Sequence, residues 1–76
     1  MEKLEISLNS IDKVKSFVST IAQFDYDFDL SSGRYVIDAK SIMGIFSLDL
    51  SKPITLTIHA DSDAEEILKA VEPYRI

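Results

Sequence analysis

The hydrophobic period of this chain switches back and forth between two and 3.6, and that alternation constrains the fold more than any single residue does. "KLEISL" sets Leu4, Ile6 and Leu8 against Lys3, Glu5 and Ser7, the period of a strand with one buried face. From Ser10 the apolar positions fall instead at Ile11, Val14, Val18 and Ile21, widened by Phe17 and Ala22. That is one face of a helix, and Asn9 or Ser10 is suited to cap it. "DYDFDL" returns to two, with Tyr26, Phe28 and Leu30 on one face and Asp25, Asp27 and Asp29 on the other. "SSG" then turns the chain into "RYVIDA", where Tyr35, Ile37 and Ala39 are predicted to face the core and Val36 and Asp38 the solvent, so the two runs form a hairpin.

"SIMGIFSL" has room for about two helical turns, with Ser41 as N-cap and Ile42, Ile45, Phe46 and Leu48 as the apolar positions. "PITLTIHA" opens on a proline where a strand tolerates one and sets Ile54, Leu56 and Ile58 against Thr55, Thr57 and His59. "DSDAEE" places acids where a helix dipole favours negative charge, and the helix they open carries Ala64, Ile67, Leu68 and Val71 on one face until Pro73 stops it. The order is therefore β-α-β-β-α-β-α. Each strand has one apolar face, so the economical packing is an α+β open-faced sandwich, one sheet with helices on a single side. No linker, repeat or low-complexity tract interrupts it, and residues 1–76 are expected to form a single domain.

Composition narrows the function. A chain of 76 residues buries only about 60% of its unfolded surface. With no cysteine to supply disulfides or thiolate metal sites, it rests on its apolar residues and suits a reducing cytoplasm. No apolar run approaches the roughly 18 to 20 residues of a membrane span, and "MEKLEISLNS" lacks the basic and apolar segments of a signal peptide. Membrane insertion is not expected. The net charge of −5, with eight dispersed Lys and Arg, argues against nucleic acid, whose phosphates need a concentrated cationic surface.

Few residues carry chemistry. His59, the single histidine, shares its parity with Thr55 and Thr57, which puts it on the wet face of the sheet as a solvated side chain. Asp25, Asp27, Asp29 and Asp38 belong to that face too. Strand residues two apart are roughly 6 to 7 Å apart, too extended for one oxygen cage, so the acids read as a solvated surface and no metal or other cofactor is expected. Asp12 lies in the first turn of the first helix, where the dipole favours a carboxylate.

The stretch "KSIMGIFSL", following a hairpin and preceding a strand and an acid-capped helix, resembles HPr, the histidine-containing phosphocarrier protein of the bacterial sugar phosphotransferase system. The likeness spans nearly the whole chain. It implies the family's four-stranded antiparallel sheet with helices on one face. It also implies that Ser41 matches the serine that a dedicated kinase phosphorylates in low-GC Gram-positive members, and that Ile42, Met43 and Phe46 match an exposed apolar docking patch; core packing is the equal alternative for these three, since a short helix must bury one face, to which Ile45 and Leu48 are assigned. A phosphate on Ser41 would add roughly −1.5 to −2 charges at a helix start; the plainer role of Ser41 is the cap alone.

The departure from the family is as specific as the match. The loop after the first strand reads approximately Asn-Gly-Leu-His-Ala-Arg-Pro-Ala in HPr, and its histidine carries the phosphoryl group at the start of the first helix. Here the sequence is "NSIDKVKS". Asp12 stands against the histidine, Val14 against the arginine and Lys15 against the proline. The resemblance thus implies an HPr-like protein, not an enzyme, that has lost phosphohistidine chemistry and kept a regulatory or protein-binding role toward the phosphotransferase system or its transcriptional network. Two alternatives stand beside it. One is a carrier using Asp12 as an acyl-phosphate acceptor, for which only Lys13 and Lys15 are near; Asp12 also has the charge to imitate a phosphorylated histidine. The other is an interaction domain unrelated to sugar transport.

Overall fold

A computed structural model describes residues 2–76. The elements run β1 (Glu2–Ile6), α1 (Ile11–Ile21), β2 (Asp27–Ser32), β3 (Tyr35–Asp38), α2 (Ile42–Phe46), β4 (Ile54–His59) and α3 (Ala64–Val71), closed by a 3₁₀ turn over Glu72–Tyr74. The order is the one the alternating periods require. One antiparallel sheet has the strand order β1-β4-β2-β3, so β4, third from the end in sequence, becomes a central strand. Its inward residues Ile54, Leu56 and Ile58 are fully buried, and Leu56 lies between Leu4 of β1 and Leu30 of β2.

The helices cover that face alone. Val14, Phe17 and Ile21 of α1, Ile45 of α2, and Ile67 and Val71 of α3 join Ile6, Phe28 and Leu30 in one apolar cluster, each such side chain contributing about 1.5 to 3 kcal/mol on burial. The open face stays polar. Even there Thr57 is buried, because it sits on the central strand with Lys3 and Asp29 opposite on its two neighbours.

Three positions read as inward are not. Tyr35 is 71% exposed: it flanks the two-residue turn and opposes Ser32, past the end of the helical layer. Ile11 is largely exposed, because it is the first residue of α1 and has no turn of helix before it to press it onto the sheet. Ala22 is the C-cap of α1 and is also exposed. Gly33 adopts φ +60° at the hairpin turn and Arg34 does not have a positive φ, the combination expected of a type II′ loop. Asp63, the N-cap of α3, has φ 61° and no side-chain capping bond. Its carboxylate instead accepts from the Tyr26 hydroxyl at 3.1 Å, which helps to hold a backbone conformation uncommon outside glycine.

The two sheet edges are finished differently. Along β1, Ser7 N–H donates to Tyr74 C=O at 2.8 Å and Ile76 N–H to Glu5 C=O at 3.2 Å, with Arg75 bridged to Ile6. Residues 74–76 thereby cover this edge from Glu5 to Ser7. Among the described residues no strand pairs with the outer edge of β3.

Candidate functional site

At the entrance to α1 the cap is Ser10, in extended conformation (φ −148°, ψ 157°). Its Oγ accepts from Lys13 N–H at 3.2 Å, and the first helical bond runs from Val14 N–H to Ser10 C=O at 3.1 Å. The amides of Ile11 and Asp12 precede that bond and have no acceptor within the helix. Asp12 is exposed, the second residue inside the helix rather than the residue at its mouth. Val14, set against the arginine of the HPr motif, is fully buried and forms part of the core. The motif's spacing therefore does not transfer here as a phosphate clamp, since a guanidinium at Val14 would point into apolar packing. The loss of the imidazole does not depend on the alignment: none of Asn9, Ser10, Ile11 and Asp12 is a histidine.

The second helix keeps the cap that its sequence calls for. Ser41 is extended (φ −96°, ψ 105°); its Oγ accepts from Gly44 N–H at 3.2 Å, and its carbonyl accepts from Ile45 N–H at 3.0 Å. Gly44 fits a tight space. A Cβ there would lie 3.3 Å from both Ile37 Cδ1 and Ser41 Oγ, so the glycine of "KSIMG" lets α2 close onto β3 without crowding the serine oxygen. Inward, Ile45 and Leu48 are buried. Outward, Ile42, Met43 and Phe46 are 37%, 82% and 42% exposed, an apolar surface directly after Ser41.

Lys40 is the residue near this surface whose role the sequence did not disclose. Its ammonium donates to Phe24 C=O at 2.8 Å and lies 5.4 Å from the centre of the Phe28 ring. It ties the segment after α1 to the start of α2 and is therefore engaged within the fold. Only the tertiary structure brings Phe24 within its reach, and nothing in the local sequence signals that contact.

His59 is on the open face, as its parity requires, but it is not simply solvated. Its Nε2–H donates to Asp29 Oδ2 at 2.7 Å, and Asp27 is its cross-strand neighbour. Asp29 in turn opposes Asp38. Asp25 precedes β2 and does not join this row. The sheet separates His59 from the helical layer, so it is remote from the entrance to α1.

Between the β2–β3 turn and the α2–β4 connection lies a groove of about 670 Å³ lined by Arg34, Tyr35, Leu48, Asp49, Lys52 and Pro53 among others. Asp49 is exposed, yet its carboxyl is held below the ordinary carboxylate value. The Ser51 hydroxyl donates to it at 2.6 Å and the Ser51 N–H at 3.1 Å, with Lys52 nearby, and all three favour the charged form. Ser51→Ala is expected to move the Asp49 titration midpoint upward, read from its side-chain carbon shift by NMR; an unchanged midpoint would mean that the hydroxyl bond is not maintained in solution.

A search of known families matches residues 13–74 to the family described as PTS HPr component phosphorylation site. The matched span begins one residue past Asp12. Among solved structures, HPr-C-His from Thermoanaerobacter tengcongensis superposes with a TM-score of 0.80 at 29% identity, over 96% of this chain and 89% of that one. The phosphocarrier protein HPr from Bacillus anthracis str. Ames does so with a TM-score of 0.73 at 32% identity, over 99% and 94%. The histidine-containing phosphocarrier protein of Mycoplasma gives 0.76 at 14% identity over 95% and 89%, a likeness of fold. Among the described residues no helix is long and apolar enough to cross a membrane.

Proposed function

This chain belongs to the HPr family of the bacterial phosphotransferase system, and from that premise we propose that residues 1–76 form one HPr-like domain without phosphohistidine carrier activity, acting as a cytoplasmic regulatory or protein-binding module toward proteins of that system. The observation that carries the reading is the contrast between the two helix entrances. At α1 there is Ser10, an exposed Asp12 and no imidazole; at α2 the Ser41 cap and the exposed Ile42, Met43 and Phe46 are all in place. The chemistry of transfer is missing while the means of docking remain.

Ser41 is the proposed regulatory phosphorylation site. Its Oγ already faces the Gly44 amide, and the amide of Met43 precedes the first helical bond of α2, so phosphate oxygens would meet donors that the helix does not use. Ile42, Met43 and Phe46 would give the apolar contact and the phosphate a charge-assisted bond to a cationic partner.

The experiment is incubation with an HPr kinase, followed by intact-mass and fragment analysis. One phosphate on Ser41 is expected, absent in Ser41→Ala, with Met43→Ala plus Phe46→Ala sparing the modification and lowering partner binding at least about tenfold. As a cap alone, Ser41→Ala is expected to cost about 1 kcal/mol, a fall in Tm of roughly 4 to 8 °C. A kinase that modifies a histidine-bearing HPr and leaves this chain untouched would reduce Ser41 to that cap.

A further inference from the structure

We propose that β3 is a self-complementary edge through which two copies of this chain join their sheets antiparallel, with the two-fold axis at Val36.

The direction of the backbone groups follows from one bond. Ala39 N–H donates to Phe28 C=O at 2.9 Å, in the register that also pairs Leu30 with Ile37 and Ser32 with Tyr35. Hydrogen-bonded pairs in an antiparallel ladder recur every second residue. The polar groups of Tyr35, Ile37 and Ala39 are therefore turned toward β2, and those of Val36 and Asp38 toward the free edge. The Asp38 carbonyl is already used by Ser41 N–H at 3.0 Å. Val36 thus offers a donor and an acceptor outward, and Asp38 a donor.

The side chains select the occupant. "RYVID" reads cation, apolar, apolar, apolar, acid about Val36. Set antiparallel against itself with Val36 opposite Val36, it places Arg34 opposite Asp38 twice and Tyr35 opposite Ile37 twice. The Val36 pair exchanges two backbone bonds, and each Asp38 N–H meets the Arg34 carbonyl of the other copy. A parallel pairing would set Arg34 on Arg34 and Asp38 on Asp38, and a one-residue slip would face Tyr35 with Asp38, so both are disfavoured. The apolar surface this would cover is otherwise open to water: Tyr35 and Val36 are 71% and 66% exposed. Long or apolar edges are usually blocked by charge, proline or a covering segment. Here β1 has such a cover over its Glu5–Ser7 end, while β3 has none among the described residues. Because the two-fold uses β3 of both copies, the pairing closes on itself as an eight-stranded dimer. A four-residue strand makes a small contact, and the dissociation constant is expected between about 10 µM and 1 mM.

The test is sedimentation equilibrium of the full chain from micromolar to about 1 mM, with amide exchange followed by NMR at both ends of that range. A monomer–dimer equilibrium is expected, with the Val36 and Asp38 amides slowed at high concentration. Val36→Pro removes the outward N–H and no bond within the monomer; it is expected to weaken association at least about tenfold, while a retained amide spectrum shows the fold intact. Arg34→Glu, which sets acid against Asp38, should also weaken it. A chain that stays monomeric through about 1 mM overturns the proposal and leaves the edge to a strand of another protein. So does a dimer that persists in Val36→Pro with the two amides no slower than in the monomer.

Discussion

Phosphoenolpyruvate and enzyme I are expected to leave this protein unphosphorylated at neutral pH, under conditions that label a histidine-bearing HPr to completion. A neutral imidazole is nucleophilic near pH 7 and is held at the helix entrance beside free amides and an arginine in the family; the amides of Ile11 and Asp12 remain free here, but the imidazole and the arginine are both missing. No histidine lies between Asn9 and Asp12, and the motif's arginine position is taken by Val14, buried in the core. His59 does not replace it, being on the far face of the sheet and bonded to Asp29. Loss of a nucleophile together with its electrostatic support lowers transfer by at least about 10⁴-fold. Intact-mass measurement is the readout. Stoichiometric phosphorylation that hydroxylamine releases and Asp12→Asn abolishes would establish Asp12 as an acyl-phosphate acceptor and overturn the proposed function; a phosphate lost in His59→Gln would overturn the placement of His59.

The fold was legible because local pattern and tertiary packing agree over most of the chain. Ile54, Leu56 and Ile58 alternate in sequence and are all buried; Ser10 and Ser41 cap where they were expected to. Errors fell at element ends, where periodicity no longer reports burial. Tyr35 and Ile11 have the parity of core residues, but each sits where one layer outruns the other, and no local pattern records how far a neighbouring element extends. The candidate site divides along the same line. Exposure of Ile42, Met43 and Phe46 follows once Ile45 and Leu48 are assigned inward, because a short helix has one buried face; α2 closes at Phe46, sooner than the two turns its sequence has room for. His59 reads as solvated from its parity and is held by Asp29, 30 residues away in sequence, while Lys40, which carries no local signal, is held by Phe24, 16 residues away. Val14 shows the limit of a motif: it counts residues along the chain, whereas the helix decides which of them face out.

Phe17→Ala is expected to cost about 3 to 5 kcal/mol, and Phe46→Ala less than about 1.5 kcal/mol, although both remove the same side chain from a helix. Phe17 is fully buried and meets Tyr74 edge to face, with ring centres 5.4 Å apart and planes at 83°. The Tyr74 hydroxyl is bonded to Ser16 Oγ at 2.5 Å, and Tyr74 C=O accepts from Ser7 N–H. Truncating Phe17 therefore opens a cavity beneath α1 and withdraws the surface against which the end of the chain seats itself on β1. A chain of this length holds about 4 to 11 kcal/mol in all, so the loss is a large part of its stability and a fall in Tm of at least about 12 °C. Tyr74→Phe, which keeps the ring and removes the hydroxyl bond, is expected to cost only about 1 kcal/mol. Urea unfolding of the three variants separates the contributions. Near-equal losses for Phe17→Ala and Phe46→Ala would show that α1 does not rest on the sheet through this ring, whereas the expected gap, with binding lost only on truncation of Phe46, would assign one phenylalanine to the core and the other to the partner.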